Sequence, residues 1–372
     1  MRICHLIYDD LANPWLGGGG ALRVQEVYRR LATRHPVTVI TGRFPGAAAQ
    51  EARDGICFQR VGTDRSYALS RLGYCLGAVA RLHQVPWDIW VDEFSPFAPL
   101  RLPAGLRRRG ILLLHHFVGR HALWKHPVVG WAAWLTEQRA LRGFRHIMTG
   151  APSVQRQIEG RLRGRRATVH CVGNGVAQHY FGLQPVEEPY ILYLGRVDIH
   201  TKGLDLLLDA FARVAGEHPD VGLRIAGRPT GTQAAQLARM VQATGVAARI
   251  ALEGAVDEAA KCELLRRALF VCMPSRYEGW GIVAVEAAAA GKAVIGTRIP
   301  GLMDAVQDGA TGLLVPPEDA AALAEGMRAL LRDPARRQGL GQQGRQWARR
   351  FDWDHLARQQ EEVYATVLRD SG

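Results

Sequence analysis

The sequence predicts an α/β protein built from two doubly wound domains, each a parallel sheet covered by helices. The chain has 372 residues, which is long for a single hydrophobic core. Short apolar strands alternate with segments of helical periodicity in two successive series. Between the series lies VGNGVAQHYFGLQPVEEP, whose Gly, Asn and Pro residues are typical of a linker.

The first series starts with strand, loop, helix and strand, in the segments RICHLIY, DDLANPWLGGGG, ALRVQEVYRRLATRH and VTVIT. This βαβ unit is the building block of a parallel sheet. Further strands follow in ICFQRV, WDIWV, ILLLHHF and RHIMTG. We therefore predict a first Rossmann-like domain over residues 1–172.

The second series runs from PYILYLG through VGLRIAG, RIALEG, LFVCMPS and KAVIGT, with helical segments between the strands. It predicts a second Rossmann-like domain over residues 190–353, joined to the first by a linker over residues 173–189. Ligands of such open sheets bind beyond the carboxyl ends of the strands.

Composition excludes several classes of protein. Apolar residues make up 48% of the chain and charged residues 22%, as in an ordinary globular protein. No apolar run approaches the roughly 18 residues of a membrane span, and the N-terminus lacks a secretory signal pattern, so we expect a cytoplasmic protein. The six cysteines form no CxxC pair, which favours reduced thiols over disulfides or a zinc site.

Positive charge is concentrated in the first half of the chain. Residues 1–175 hold 25 Lys and Arg against 11 Asp and Glu, whereas residues 176–372 hold 22 against 24. The basic segment RHALWKHPVVGWAAWLTEQRALRGFRH also carries Trp124, Trp131 and Trp134. Cations with interfacial tryptophans suit an anionic membrane surface, which suggests peripheral docking on the inner face of the plasma membrane. The alternative is an arginine-rich surface over tryptophans that belong to the core.

The same charge raises a rival function, the binding of nucleic acid. The sequence carries no helix-turn-helix, zinc-finger or RNA-binding sheet signature. We therefore expect no nucleic-acid partner.

Two glutamates eight residues apart lie in the segment LFVCMPSRYEGWGIVAVEAAAAG. Glu278 lies on a glycine-containing loop between a predicted strand and helix, and Glu286 lies in the second turn of that helix. The N-terminus of a helix attracts phosphate, and carboxylates accept hydrogen bonds from sugar hydroxyls. The layout matches a nucleotide sugar, whose diphosphate lies between two polyols. The alternatives are a capping charge at Glu278 and a solvent-facing carboxylate at Glu286.

A second strand-to-helix loop lies in LGRVDIHTKGLDLLLDAF, where Arg196 and Lys202 follow Gly195. Arg can hold a phosphate through two hydrogen bonds and Lys adds a mobile positive charge, so both suit a departing diphosphate. The alternative is a solvated basic loop.

These motifs resemble the retaining glycosyltransferases of family four. The resemblance rests on GR with KGLDLLLDAF, on LEGAV, PSRYEGWGIVAVEAAAAGKAVIG and PGLMDAVQDGATGLLVPP, and on FDWD. It spans nearly the whole chain and is most specific in the C-terminal half. It implies the α/β GT-B fold, in which two Rossmann-like doubly wound domains face each other across a cleft.

The resemblance assigns catalytic roles to four residues. Arg196 and Lys202 would hold the donor diphosphate, Glu278 would bind hydroxyls of the transferred sugar, and His115 would lie near the anomeric carbon and the acceptor. Glu286 would bind the ribose. The implied donor-binding set is Gly18, Gly19, Gly195, Arg196, Lys202, Arg228, Gly254, Val256, Glu278, Gly279, Trp280, Gly281 and Glu286.

Within this set, Gly18 and Gly19 belong to a glycine-rich loop, LGGGGA, that would let the backbone approach phosphates or the acceptor. A dehydrogenase-type loop is the competing interpretation, but these glycines follow the strand too late for its tight turn. The sequence departs from the family at His116, Trp280 and Asp304, where Asp, Phe and Glu are usual.

The implied reaction is transfer of a hexosyl-type residue from a nucleotide-diphosphate sugar to a hydroxyl, with retention of anomeric configuration. No metal bound by the protein and no cofactor beyond this co-substrate is expected. A lipid-linked glycan or glycolipid is the expected acceptor, with a soluble acceptor as the alternative and a GT-B epimerase as a further rival. DWD at residues 352–354 is interpreted as the start of the last helix, about 354–370, which is expected to pack back on the first domain.

Overall fold

The computed structural model describes residues 1–96, 102–103, 105–118, 127–229 and 232–371. The chain divides into two compact units. The first unit comprises Met1–Asn174 together with Trp353–Gly372, and the second comprises Gly175–Asp352. Residues 175–189, expected as linker, therefore belong to the second unit.

The first unit contains a sheet of eight strands. The strands are β1 (Ile3–Leu6), β2 (Val37–Gly42), β3 (Gln50–Arg53), β4 (Ile56–Val61), β5 (Ile89–Glu93), β6 (Gly110–Leu113), β7 (His146–Thr149) and β8 (Thr168–Cys171). Their order is β3-β4-β2-β1-β5-β6-β7-β8, and every neighbouring pair is parallel except β3 and β4. The strand order reverses between β1 and β5, which is the position where ligands of doubly wound sheets bind.

Helices cover this sheet because each presents an apolar stripe to it. They are α1 (Gly19–Leu31), α2 (Tyr67–Gln84), α3 (Pro127–Gly143), α4 (Pro152–Arg161) and, from the end of the chain, α12 (Trp353–Ser371). Local signals set their starts: the Ser66 hydroxyl accepts a hydrogen bond from the backbone N–H of Leu69, and Pro152 occupies the first turn of α4.

The last helix completes the core of the first unit. Trp353, Leu356, Tyr364 and Val367 of α12 are buried in one apolar cluster with residues of β1, β2, β4, β5 and β6 and of α1. Arg30 of α1 also forms an ion pair with Asp354 at the start of α12. The first unit is therefore built from two separate parts of the chain.

The second unit contains a six-stranded parallel sheet. Its strands are β9 (Tyr190–Leu194), β10 (Gly222–Ala226), β11 (Ile250–Gly254), β12 (Phe270–Met273), β13 (Val294–Thr297) and β14 (Gly312–Val315). The order is β11-β10-β9-β12-β13-β14, so the reversal lies between β9 and β12.

The helices of the second unit alternate with these strands. They are α5 (Leu204–Ala215), α6 (Gln233–Ala243), α7 (Glu258–Arg267), α8 (Ile282–Ala289), α9 (Leu302–Ala305), α10 (Ala320–Arg332) and α11 (Pro334–Ala348). Leu204, Leu207, Leu208 and Phe211 of α5 are buried at helical spacing against the sheet. Among the described residues, no helix is both long enough and apolar enough to cross a membrane.

Replacing Leu356 by alanine tests the contribution of α12 to the first unit. Leu356 is 3% exposed within the core cluster, and deletion of such a side chain leaves a cavity. We expect the free energy of unfolding to fall by about 2 to 5 kcal/mol in chemical denaturation. Arg358→Ala, at an exposed position of the same helix, is the control and should change it little. Equal stability of Leu356→Ala and the natural protein would contradict this packing.

Candidate functional site

Two loops of the second unit meet where the strand order of its sheet reverses, between β9 and β12. One follows β9 and carries Gly195, Arg196 and Lys202, and the other follows β12 and carries Glu278. Since β9 and β12 are neighbouring parallel strands, both loops leave the same edge of the sheet. The structure therefore brings together the two motifs that the sequence analysis singled out.

Two glycines allow the backbones at this edge to approach closely. Gly203 has φ +65°, and a Cβ there would lie 2.0 Å from the carbonyl oxygen of Pro274. A Cβ at Gly227, which follows β10, would lie 1.7 Å from the carbonyl oxygen of Gly195. Neither position can accept a side chain without moving the neighbouring loop, so both glycines are needed for the backbones to lie this close.

A lysine and a carboxylate form the centre of this edge. Lys202 Nζ lies 2.5 Å from Glu278 Oε2, and both side chains are 16% exposed. The Ser275 hydroxyl lies 3.4 Å from the same carboxylate oxygen. The cation and the hydroxyl-binding group expected from the sequence are thus paired with each other.

Arg276 braces the two loops, a role that the sequence analysis missed. Its guanidinium forms two hydrogen bonds of 2.7 Å to the carboxylate of Asp205, in the first turn of α5. It also donates to the backbone oxygen of His200 at 2.8 Å and pairs with Glu318. These contacts raise the pKa of Arg276, so the brace stays charged. The position of Arg276 directly before Tyr277 and Glu278 is the feature of the sequence from which this role could have been predicted.

The loop after β12 ends at α8, whose first N–H groups have no acceptor within the helix. Gly281 precedes the helix with φ +76° and has no side chain to cap it. The described contacts of the Glu278 carboxylate are with Lys202 and Ser275 and not with a backbone N–H of this helix. Gly279 lies beside Gly301, and Trp280 is 4% exposed with its ring 4.9 Å from that of Phe351. Trp280 is therefore a buried apolar side chain, like the Phe that is usual in the family.

Glu286 is buried in α8 and paired with a second lysine. Lys261 Nζ, from α7, lies 2.7 Å from Glu286 Oε1, while Oε2 is buried and has no hydrogen-bond partner among the described residues. Burial raises the pKa of Glu286, and Lys261 only partly offsets this. The alternative of a solvent-facing carboxylate is wrong, since the residue is 5% exposed. Lys261 was missed because a Lys on a polar helix face gives no signal.

The other residues of the expected donor set that belong to the second unit lie on the same edge of its sheet, whereas Gly18 and Gly19 belong to the first unit. Gly195 follows β9, Arg228 follows β10, and Gly254 and Val256 lie at the end of β11 and just after it. Arg196 and Arg228 are exposed, and backbone hydrogen bonds join Val197 to Arg228 and Gly227 to Gly254. Four neighbouring strands therefore contribute to one continuous rim.

Near Glu286, the described residues place three possible metal ligands together. One ligand atom each of His179, Glu258 and Cys262 lies within 4.8 Å of the others. His179 Nε2 is already 2.9 Å from Glu258, and the Lys261 ammonium is 3.8 Å from the same carboxylate. This positive charge opposes a cation there, and the expectation that the protein binds no metal stays a prediction.

In the first unit, His115 follows β6 and contacts a buried carboxylate. His115 Nε2 lies 3.0 Å from Glu93 Oε1, at the carboxyl end of β5. His116 is exposed. The glycine-rich loop after β1 lies at the same edge, where the backbone N–H of Gly18 donates to Asp9 at 2.9 Å and Gly19 begins α1. Glu93 was missed because an acidic residue that ends a strand gives no signal by itself.

The tryptophans of the basic segment differ in exposure. Trp131 is 55% exposed on α3, and its ring lies 5.3 Å from that of half-buried Trp134. Val129 and Leu135 of the same helix are 56% and 47% exposed. Trp124 lies outside the described residues. The alternative of purely core tryptophans therefore does not hold for Trp131.

Comparison with known proteins agrees with this arrangement. The family model "Glycosyl transferase 4-like domain" matches residues 18–175, and "Glycosyl transferases group 1" matches residues 178–347. The phosphatidyl-myo-inositol mannosyltransferase of Mycobacterium leprae is 39% identical over 178 residues, which is 48% of this chain and 46% of that protein. The chain thus aligns with somewhat less than half of this relative's length.

Two solved structures resemble the chain over nearly its full length. The sucrose-phosphate synthase of Thermosynechococcus elongatus superposes with a TM-score of 0.83 at 22% identity, covering 99% of this chain and 100% of that one. HepE of Anabaena, in complex with UDP and glucose, superposes with a TM-score of 0.76 at 19% identity, covering 98% and 100%.

Two doubly wound parallel-sheet units with loops of this kind define a protein of the GT-B fold class. The two family matches together span most of the sequence. The chain belongs to the GT-B glycosyltransferases of the family-four type.

Replacing Glu286 by glutamine should change how stability depends on pH. The folded-state pKa of Glu286 is raised, so ionisation of Glu286 at rising pH costs the folded state more than the unfolded chain. The melting temperature of Glu286→Gln relative to the natural protein should therefore rise from pH 5 to pH 8 without ligand. Glu362→Gln, at an exposed helix position, is the control. A difference between Glu286→Gln and the natural protein that is constant with pH would contradict the buried, paired carboxylate.

Proposed function

We propose that this protein is a retaining glycosyltransferase that moves a hexosyl-type residue from a nucleotide-diphosphate sugar to a hydroxyl acceptor. One observation carries the proposal: two carboxylates, Glu278 and Glu286, flank the N-terminus of α8, and each is paired with a lysine. This layout supplies an anion site between two groups that accept hydrogen bonds from hydroxyls. A nucleotide sugar has the complementary order of ribose, diphosphate and hexose.

Binding of the donor would exchange partners at the central pair. Lys202 Nζ lies 2.5 Å from Glu278 Oε2, and a diphosphate offers it a more highly charged partner. Once Lys202 turns to the diphosphate, Glu278 is available to sugar hydroxyls. Exposed Arg196, on the same loop, supplies a second cation for the diphosphate.

Glu286 is the proposed ribose ligand. Its Oε2 atom is buried and has no donor within the part of the chain that the structure describes, which costs free energy until a hydroxyl supplies one. The HepE structure that resembles this chain holds UDP and glucose, which supports a nucleotide sugar as the donor. Arg228 and the Gly254–Val256 segment lie on the same rim as candidates for contacts with the base.

In the proposed reaction, the bond between the anomeric carbon and the diphosphate oxygen breaks and a bond from that carbon to the acceptor oxygen forms on the same face. The acceptor hydroxyl gives its proton to the departing diphosphate oxygen, so the charges balance without a cofactor. Lys202 and Arg196 stabilise the negative charge that develops on the leaving group. Glu278 holds the sugar as its ring gains positive charge.

The proposed acceptor is a lipid-linked glycan or glycolipid at an anionic membrane surface. The name of the mannosyltransferase relative includes a lipid, phosphatidyl-myo-inositol. In the basic half of this chain, the first unit exposes Trp131, Val129 and Leu135 on one helix. A soluble acceptor is the second candidate. It is favoured by the likeness to a sucrose-phosphate synthase, whose name indicates a soluble sugar product.

A thermal-shift screen of the purified protein against UDP-, GDP-, ADP- and dTDP-sugars tests the donor. A ligand present at 100 times its Kd should stabilise the folded state by about 2.7 kcal/mol, so one class of donor should raise the melting temperature selectively. Glu286→Ala should abolish this shift, because the ribose loses its acceptor.

Glu362→Ala is the matched control and should shift like the natural protein, since this carboxylate is exposed on α12. Transfer from the selected donor should give a product of unchanged anomeric configuration by NMR. An absence of any shift, or salt-sensitive RNA binding in its place, would overturn the proposed function. An inverted product would overturn retention alone.

Vesicle co-sedimentation tests the membrane surface. The natural protein should bind phosphatidylglycerol vesicles at low salt and leave phosphatidylcholine vesicles unbound. The double variant Trp131→Ser, Leu135→Ser should weaken binding by at least about tenfold, because two exposed apolar side chains no longer enter the interface. Leu252→Ser, at an exposed leucine of the second unit, is the control. Equal binding of all three proteins, or none by the natural protein, would contradict docking through α3.

A further inference from the structure

Glu93 is a buried carboxylate that contacts two histidines. Its Oε1 lies 3.0 Å from His115 Nε2 and its Oε2 lies 3.0 Å from His5 Nε2. Burial alone would favour the protonated acid, yet the two histidines hold the pKa of Glu93 well below its usual range. An ionised carboxylate only accepts hydrogen bonds, so each histidine donates its Nε2–H to Glu93.

This assignment determines which group donates in each of the hydrogen bonds that lead through His5 to Glu93. His5 is fully buried, and burial lowers its pKa, so it is a neutral ring with one donor and one acceptor. Because His5 Nε2 donates to Glu93, its Nδ1 accepts from the Tyr28 hydroxyl at 2.7 Å. Tyr28 in turn accepts from Tyr364 of α12 at 2.7 Å, and Tyr364 accepts from Gln360 Nε2 at 2.5 Å.

The result is a chain of hydrogen bonds in which every donor points toward Glu93. Bonds arranged head to tail in a dry interior strengthen one another. The fully buried guanidinium of Arg23 adds an attractive positive charge to Glu93. The carboxylate therefore has a fixed place and a fixed charge.

Gly20 supplies the space for this carboxylate. A Cβ at Gly20 would lie 2.3 Å from Glu93 Oε1, the oxygen that holds His115. The glycine-rich loop was expected to let the backbone approach phosphates or the acceptor. At Gly20 the missing side chain instead makes room for the charged oxygen of Glu93.

We propose that Glu93 is a positioning residue that holds His115 as its Nε2–H tautomer and so presents ring atom Nδ1 as the acceptor for a substrate hydroxyl. The His115 side chain is 23% exposed, whereas that of Glu93 is 7% exposed, so His115 faces the solvent side of the pair. When the His115 ring is neutral, a donating Nε2 leaves Nδ1 as the acceptor. The source of the hydroxyl, donor sugar or acceptor, rests on the proposed function.

The tautomer is measured in the full-length protein labelled with ¹⁵N-histidine, with the His115 signals assigned by their loss in His115→Gln. We expect a protonated Nε2 and an unprotonated Nδ1 in the natural protein. Glu93→Gln should give a mixture of the two tautomers, because an amide can donate as well as accept. Gly20→Ala, which pushes a methyl group against Oε1, should do the same if Glu93→Gln does not fold.

Asp88→Asn is the matched control, a carboxyl-to-amide change just before the same strand, where Asp88 forms an exposed ion pair with Arg2. It should leave the tautomer unchanged. A natural protein with protonated Nδ1, or a tautomer that is the same in Glu93→Gln, Gly20→Ala and the natural protein, would overturn the proposal.

Steady-state kinetics identify the hydroxyl. Loss of the oriented acceptor should raise one KM by at least about tenfold in Glu93→Gln, with a smaller change in kcat. If only the donor KM rises and the Kd for the nucleoside diphosphate alone is unchanged, the hydroxyl belongs to the transferred sugar. If only the acceptor KM rises, the hydroxyl belongs to the acceptor. An altered tautomer with both KM values unchanged would contradict the substrate contact. A fixed tautomer in a protein without transferase activity would instead count against the proposed function.

Discussion

The direction of the strands is the constraint on which the rest of this structure depends. Parallel strands deliver all their carboxyl ends to one edge, and the reversal of strand order between β9 and β12 sends the following helices to opposite faces of the sheet. The loops after these two strands can then meet without a helix between them. Gly203 and Gly227 allow the backbones to touch, and Arg276 ties the loops to α5. The positions of Lys202 and Glu278 follow from this arrangement.

The charges at this edge are neutralised in pairs whose members come from different elements. Lys202 meets Glu278 between two loops, and Lys261 of α7 meets Glu286 of α8. Each pair lowers the cost of holding a carboxylate away from water, and Glu286 Oε2 has no hydrogen-bond partner among the described residues. This oxygen therefore keeps unused hydrogen-bonding capacity. In the proposed function, a hydroxyl of the nucleotide sugar supplies the missing donor.

The sequence predicted the features that depend on neighbouring residues. Alternating strands and helices, the glycines before helices, and the loops that carry Lys202 and Glu278 were all visible as local patterns. Glu93 and Lys261 were not visible, because their importance comes from contacts with His5, His115 and Glu286, which lie 22 to 88 residues away in the chain. A single acidic or basic residue looks the same in a sequence whether it faces water or a buried partner. The resemblance to a known family covered its motif residues and did not extend to the residues that orient them.

The return of α12 to the first unit has a consequence for synthesis. The chain is made from its N-terminus, yet Trp353, Leu356, Tyr364 and Val367 complete the apolar core that β1 and α1 begin. The second unit, which is continuous in sequence, has all its residues before α12 leaves the ribosome. The core of the unit that is translated first therefore cannot be completed until the whole second unit has been made, and the sheet of the first unit lacks part of its apolar cover during that time.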